Sequence, residues 1–448
     1  MTSRAMRGRL VSFGDGPERP LLIERGTLLV EDGRIAAIGQ NIDIPGGVEV
    51  DDHGDLLIMP GFIDTHLHYP QTQVIGSYGA QLLDWLQRYT FVEEQRFSDE
   101  AHARYVARFF FDELLRNGTT TACVYCTSHV QSAEAFFAES ERRGTCMIAG
   151  KVMMDRGAPD GLLDTPERAH DESAALIGRW HGRGRQLYAI TPRFAITSTE
   201  AQLEVAAALL REYPQCYLQT HLSENLREIE TIAELFPWSK NYTNVYDHYG
   251  LLGERSIFGH CIHLDAEECS RLAATGSIAA FCPTSNLFIG SGLFNRRKLV
   301  DAGMVVTLAT DIGGGTSYSM LRTAAEAYKV LQLQGQNLPA FEMFHMMTAG
   351  NAKALGLDSE IGTLAAGSIA DLVVLDTYAT PAMAHRMEAI VTDDPLQRFS
   401  EELFILATMG DDRSVREVYI MGNSCLPARG QATAVSGPFA LKGSTSPR

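Results

Sequence analysis

The chain has no run of 18 apolar residues, so no membrane-spanning helix is expected. It has no dense Lys/Arg cluster. Thirty-eight Lys and Arg stand against 55 Asp and Glu, a formal charge of −17. That balance keeps a protein in solution and argues against nucleic acid or another polyanion as partner. Cysteine is sparse, with eight residues scattered over 448, which reads as the reduced thiols of a cytoplasmic protein. Cys123-Val-Tyr-Cys126 has the CxxC spacing but no second CxxC, and it lies in the strand-like run Thr119 to Cys126, so a structural role is expected. Met1 to Arg9 is basic with no apolar stretch behind it, and Asp15 and Glu18 come too soon for a secretory signal. Internal repeats and long low-complexity tracts are also missing.

The apolar content of 45% and charged content of 21% are those of a globular protein. A length of 448 residues exceeds one ordinary core and suits a large barrel with a smaller appended domain. Leu21 to Ile38 alternates and places Asp32-Gly33 between two apolar runs, a hairpin signal. Gly367 to Asp376 and Val415 to Gly422 read as further strands, so both chain ends are expected to close one small β-sandwich domain. Between them strand and helix alternate. Strand candidates end near His68, Cys126, Met153, Phe194, His221, His260, Phe281 and Asp311, with helices such as Ala101 to Arg116, Glu200 to Glu212 and Ala266 to Thr275. This pattern predicts an α/β fold with a (β/α)8 TIM-like barrel. The expected division is 1–58 for the N-terminal part of the β-sandwich domain, 59–364 for the barrel, 365–432 for the C-terminal part, and a frayed Gly/Ser/Pro-rich tail at 433–448.

His66-Leu-His68 ends the apolar run that starts at Leu56. In a strand, residues i and i+2 share a face, so both imidazoles leave one strand end side by side, as two ligands of one metal need. His221, His260 and Asp311 each follow a short apolar run, at the strand ends where barrel enzymes carry their active sites. Taken alone, His260 also fits a hydrogen-bonded core histidine, and Ser223 a helix cap beside a merely polar Glu224. A carboxylate such as Asp311 is costly to bury unless paired or metal-bound. Asp64 fits a brace for the barrel or for a ligand better than a ligand itself. Three histidines and an aspartate suit Zn²⁺ or Fe²⁺ with an open position for water. Zinc brings the pKa of bound water to about 7, and the departing group still needs a proton, for which Glu224 and Asp311 are the candidates. Arg193 and Phe194, in Thr191-Pro-Arg-Phe194, and Gln71 look like substrate readers, although on spacing alone Gln71 is equally an ordinary loop amide.

These motifs resemble the amidohydrolase superfamily, and its guanine deaminase branch in particular. Pro60-Gly-Phe-Ile-Asp-Thr-His-Leu-His68, His221, His260 and Asp311 carry the general resemblance. Leu82-Leu-Asp-Trp-Leu-Gln-Arg-Tyr-Thr-Phe91, Asn117-Gly-Thr-Thr-Thr-Ala-Cys123, Thr191-Pro-Arg-Phe194, Thr220-His-Leu-Ser-Glu-Asn225, Lys240 to Asp247, Cys282-Pro-Thr-Ser-Asn286, Thr310 to Leu321 and Gly410-Asp-Asp-Arg413 carry the closer one, over roughly residues 20–425. The resemblance implies one zinc per subunit held by His66, His68, His221 and Asp311, with Fe²⁺ as the alternative. It implies that His260 sits by the metal water and Glu224 shuttles protons. It further implies that Gln71 and Arg193 read the purine, while Phe194, Leu82 and Trp85 close the pocket. The reaction implied is guanine plus water giving xanthine plus ammonia, in a cytoplasmic homodimer. No lysine occupies the strand end where two-metal relatives carry a carbamylated bridge, which favours one metal. The Pro-Cys-x-x-Cys signature of the other zinc base deaminases is absent, so the likeness to them is chemical only. Deaminases of another purine or pterin and triazine hydrolases share the metal residues and would differ at Gln71, Arg193 and the Trp85 loop.

Overall fold

The computed structural model describes residues 3–79 and 81–426. The tail expected at 433–448 lies outside them. Four strands open the chain: β1 (Ser3–Ser12), β2 (Leu21–Glu31), β3 (Arg34–Gly39) and β4 (Glu49–Pro60). Between β2 and β3, Asp32 and Gly33 have φ of 47° and 83°, the left-handed pair of a tight hairpin turn, with Glu31 opposite Arg34.

The next nine strands are β5 (Phe62–His68), β6 (Thr119–Tyr125), β7 (Cys146–Gly150), the short β8 (Val152–Met153), β9 (Gln186–Pro192), β10 (Tyr217–Leu222), β11 (Ser256–His260), β12 (Ile278–Phe281) and β13 (Val305–Leu308). Their order is β13-β12-β11-β10-β9-β7-β6-β5, with β8 paired to β9. The pairings within this sheet are parallel. The two ends then meet. The His68 amide donates to the Ile312 carbonyl at 2.5 Å and the Asp311 amide to the His66 carbonyl at 2.8 Å. This is the expected (β/α)8 barrel, and closure joins the His-x-His strand to the turn that carries Asp311.

Finally β14 (Leu372–Leu375), β15 (Val415–Ile420) and β16 (Asn423–Ser424) return to the first sheet, where β14 runs antiparallel to β4. The order β16-β15-β14-β4-β1-β2-β3 makes one seven-stranded sheet from both chain ends.

The helices follow from caps and apolar spacing. Asp99 accepts from the Ala101 amide at the start of Glu100–Arg116, and that helix buries Ala103, Val106, Ala107, Phe110, Phe111 and Leu114, a stripe of period near 3.6. Thr199 accepts from the Gln202 amide and starts Glu200–Glu212. Inside the barrel, Ile63, Cys123, Ile148, Ala189, Tyr217, Ile257, Ile278 and Ala280 form one buried cluster. With period two along β10, Tyr217, Gln219 and His221 share a face, so the apolar layer lies below and the histidine emerges at the top.

The end sheet is tied to the helix Pro395–Met409 by a buried ion pair. Arg9 Nη2 donates to Glu402 Oε2 at 2.7 Å, its Nε to the half-exposed Glu24 at 3.0 Å, and its guanidinium lies 4.7 Å from the Phe399 ring centre. Breaking a buried pair leaves a desolvated charge. Glu402→Ala is therefore expected to destabilise the chain by about 3 kcal/mol, the low end of the usual range because Glu24 remains. Denaturant titration checks this, and an unmoved midpoint contradicts it.

Candidate active site

At the C-terminal rim of the barrel, β5 supplies His66 and His68, β10 His221, β11 His260, and the turn after β13 Asp311. His221 Nε2 lies 3.2 Å from His68 Nε2. Asp311 Oδ1 lies 3.5 Å from His66 Nε2 and 3.4 Å from His68 Nε2. Two overlapping donor sets result, His66/His68/His221 and His66/His260/Asp311, each with its ligand atoms within 4.8 Å of one another. His221 Nδ1 faces the Arg193 carbonyl at 2.6 Å. A carbonyl only accepts, so the proton sits on Nδ1 and the Nε2 lone pair turns into the site. Both ring nitrogens of His66 and Nδ1 of His68 are buried without a hydrogen-bond partner. Burial lowers the pKa of all three imidazoles, which keeps them neutral and able to ligate. Burial alone would raise Asp311, but the facing His66 ring and the neighbouring His260 outweigh that and hold it low. Converging lone pairs with orphaned buried nitrogens fit a divalent cation, and the mixed N/O set suits zinc or iron.

The backbone works to place these groups. His260 and Asp311 have φ of 71° and 51°, left-handed values that cost non-glycine residues about 1–3 kcal/mol each and gather at functional sites. Asp64 meets that need on one side. It accepts from the Thr310 amide at 3.1 Å, from the Thr310 hydroxyl at 2.5 Å and from the His66 amide at 3.4 Å, bracing β5 against the Asp311 turn. Gly259 is required for room, since a Cβ there would stand 2.6 Å from His66 Cε1.

Glu224 and His260 form the second constellation. Glu224 Oε2 is 3.3 Å from His260 Nε2, and Ser291 Oγ donates to Glu224 Oε1 at 2.8 Å. His260 Nδ1 donates to Asn286 Oδ1 at 2.9 Å, and its Nε2 is 3.8 Å from Asp311 Oδ2. Burial pushes the Glu224 carboxyl up, with His260 and Ser291 opposing. Burial would lower His260, but the carboxylates of Glu224 and Asp311 outweigh it and raise the imidazole. The pair can hold and pass one proton. The following helix, Leu226–Leu235, is capped by Asn225 rather than Ser223; Glu228 Oε2 closes the cap on the Asn225 amide at 3.1 Å and also accepts from the Glu224 amide at 2.7 Å.

Arg193, Gln71 and Glu94 make the third. Arg193 Nη1 donates to both Glu94 oxygens at 2.8 and 3.0 Å, and Gln71 Nε2 donates to Glu94 Oε1 at 3.2 Å. All three are at most 2% exposed. The run Leu82–Trp85, Leu86–Thr90, Phe91–Glu94 closes over them, with a wide turn of π type at Leu86–Thr90. Together these constellations and the closing run frame a cavity lined by His68, Gln71, Leu82, Trp85, Leu86, Arg193, Phe194, His221, Glu224, His260, Ile289, Asp311 and Gly314. Its lining mixes apolar side chains with a few converging polar groups, as small-molecule sites do.

Residues 57–425 match the Amidohydrolase family. The chain is 46% identical to the guanine deaminase of Escherichia coli (strain K12) over 432 residues, 94% of this chain and 97% of that one. This chain belongs to the amidohydrolase family, among its guanine deaminases. The solved structure of E. coli guanine deaminase has a TM-score of 0.90 at 45% identity, covering 95% of this chain and 99% of that one. A guanine deaminase from C. acetobutylicum, with guanine bound in its active site, has a TM-score of 0.85 at 27% identity, covering 94% and 99%.

Every site residue singled out in this amidohydrolase's sequence reaches the cavity or the donor sets, His66 from beneath it. Lys151, which the sequence reading did not name, directly follows β7 but joins neither donor set: its buried ammonium pairs with Asp164 and lies 3.2 Å from Glu172. Three residues escaped the sequence reading. Asn286, quoted within Cys282-Pro-Thr-Ser-Asn286 but given no role, lies in the short helix Pro283–Phe288 that follows β12. Ser291 and Glu94 lie in a loop and a short helical run, and no spacing marks them. Cys123 and Cys126 are buried and free, as the structural reading expects.

Proposed function

We propose that this amidohydrolase hydrolyses guanine at C2 to xanthine and ammonia, in the cytoplasm, as a homodimer with one metal per subunit. The observation that carries this reading is one cavity lined both by the proton-passing pair Glu224–His260, beside the donor sets, and by Arg193 and Gln71, which are held by Glu94. A small base bound there meets hydrogen-bonding groups that can read it and a pair that can move a proton. The similarity to guanine deaminases over nearly the whole chain supports the choice of base. Eight free cysteines and the lack, among the described residues, of any helix long and apolar enough to cross a membrane accord with the compartment.

His66, His68, His221 and Asp311 would hold the metal, zinc by preference and iron as the alternative. When bound, such an ion supplies an activated water at neutral pH. The chain's own residues do the rest. Arg193 and Gln71 hold the O6 edge of the purine, and Phe194, Leu82 and Trp85 cover its faces and exclude bulk water. His260 and Asp311 flank the attacking water, and Glu224 gives a proton to N3 as C2 becomes tetrahedral. The remaining proton of the new C2 hydroxyl passes through Glu224 to the amino group, the C2–N bond breaks, and ammonia leaves as the carbonyl of xanthine forms. Glu224 then takes a proton from the next water to enter, so the cycle closes with both water protons accounted for, one on N3 and one on ammonia.

Chelation tests the metal part. Dialysis against a strong chelator is expected to abolish xanthine formation, and one equivalent of zinc per chain to restore it, read by elemental analysis beside product absorbance. Full activity in metal-free protein would contradict the reading.

A further inference from the structure

We propose that Glu94 is the positioning residue that sets the hydrogen-bonding polarity of the pocket's reading edge, making it a row of donors and so selecting a ring carbonyl over a ring amine. The inference rests on Arg193 and Gln71 being the purine readers, and it names what decides how they read.

A glutamine amide is ambiguous by itself, since rotation by half a turn exchanges a donor for an acceptor of the same shape. Glu94 removes that freedom. Its carboxylate accepts and cannot donate, so the amide must turn Nε2 toward it, as the 3.2 Å contact records. The other end of the amide is also engaged, because the Gly313 amide donates to Gln71 Oε1 at 3.4 Å. Gly313 has to be glycine for this approach: a Cβ would stand 2.6 Å from the Gln71 carbonyl oxygen and 2.7 Å from its Cβ. With Oε1 and one Nε2 hydrogen occupied, Gln71 has its second N–H to offer a ligand.

Arg193 has only donors. Glu94 takes Nη1 through both oxygens, fixing the plane of the guanidinium, and the Phe91 ring centre lies 5.4 Å from its central carbon. What remains is the other guanidinium N–H groups. Both side chains line the cavity, so the wall they form presents N–H donors, with the guanidinium charge balanced by the Glu94 carboxylate behind it. An oxygen acceptor is met there. An exocyclic amine would bring a second donor against donors, and each buried unpaired donor is penalised. Glu94 is 0% exposed and does not line the cavity, so it acts through its two neighbours and never touches the base.

The test compares guanine with 2-aminopurine, which keeps the C2 amine and lacks O6. In Glu94→Gln the shape is kept, but one acceptor becomes a donor aimed at Arg193 and Gln71. We expect kcat/KM for guanine to fall by about 100-fold while 2-aminopurine turnover changes by less than about threefold, as expected for a lost polar discrimination. Metal content should not move. The ratio between the two substrates therefore collapses, mainly through KM. If both substrates fall equally, or if the ratio is unchanged, Glu94 is structural and the proposal is overturned. Glu94→Asp, which keeps the charge but withdraws the carboxylate by one methylene, gives the same ratio test where the glutamine variant is insoluble, and a preserved ratio there overturns the proposal too. The wild-type arm separates the two levels. A wild-type protein that is inactive on guanine refutes the functional reading itself, whereas active wild type with an unmoved ratio refutes only the role of Glu94.

Discussion

Replacing Glu224 by glutamine is expected to lower kcat for guanine by about 10²- to 10⁴-fold, the share that general acid–base catalysis supplies. The amide keeps the shape and can still accept from Ser291, so the pocket should stay closed and KM should change little. The lost capacity is the proton itself. Burial raises the Glu224 carboxyl, and His260 stands 3.3 Å away, so this is the group in the cavity best able to give a proton to N3 and take one back. Metal content should stay at the wild-type value, because Glu224 belongs to neither donor set. Steady-state kinetics with elemental analysis checks both. A variant within about tenfold of wild type would remove Glu224 from the chemistry.

Arg193→Ala is expected to lower kcat/KM for guanine by about 10²- to 10³-fold, the loss seen when one partner of a buried charged hydrogen bond is truncated. The metal should be retained, for a reason visible in the structure: His221 Nδ1 is held by the backbone carbonyl of residue 193, which alanine keeps. Stability should also fall, because Glu94 loses its cation and its carboxyl, already pushed up by burial, is left to protonate. Guanine kinetics, zinc content and thermal melting on the same sample separate these effects. Parallel loss of activity and zinc would make Arg193 a structural residue.

The donor set was legible because barrel geometry is simple. Residues at i and i+2 on β5 share a face, and a polar residue after an apolar run marks a strand end, so His66, His68, His221, His260 and Asp311 could be placed at one rim. The Asp32-Gly33 hairpin was legible for the same local reason, since two successive left-handed residues are needed. What stayed hidden depends on the path of loops. Glu94 reaches Arg193 across 99 positions and Gln71 across 23, and nothing in the spacing of Phe91–Glu94 announces a buried carboxylate. Ser291 reaches Glu224 from a loop 67 positions away. The helix cap moved from Ser223 to Asn225 because Ser223 sits at φ 51°, in the turn that carries Glu224 into the cavity. Backbone roles, such as the Arg193 carbonyl on His221, have no side-chain signature at all.

The most direct measurement is ammonia release by the purified, zinc-loaded chain offered guanine, adenine, cytosine, 8-oxoguanine, a pterin and melamine in parallel, with the products separated. Guanine should far exceed the others and yield xanthine mole for mole with ammonia. A metal-loaded protein that leaves guanine untouched, or that prefers the pterin or melamine, would contradict the assignment of Arg193, Gln71 and the Trp85 loop as a guanine-reading pocket.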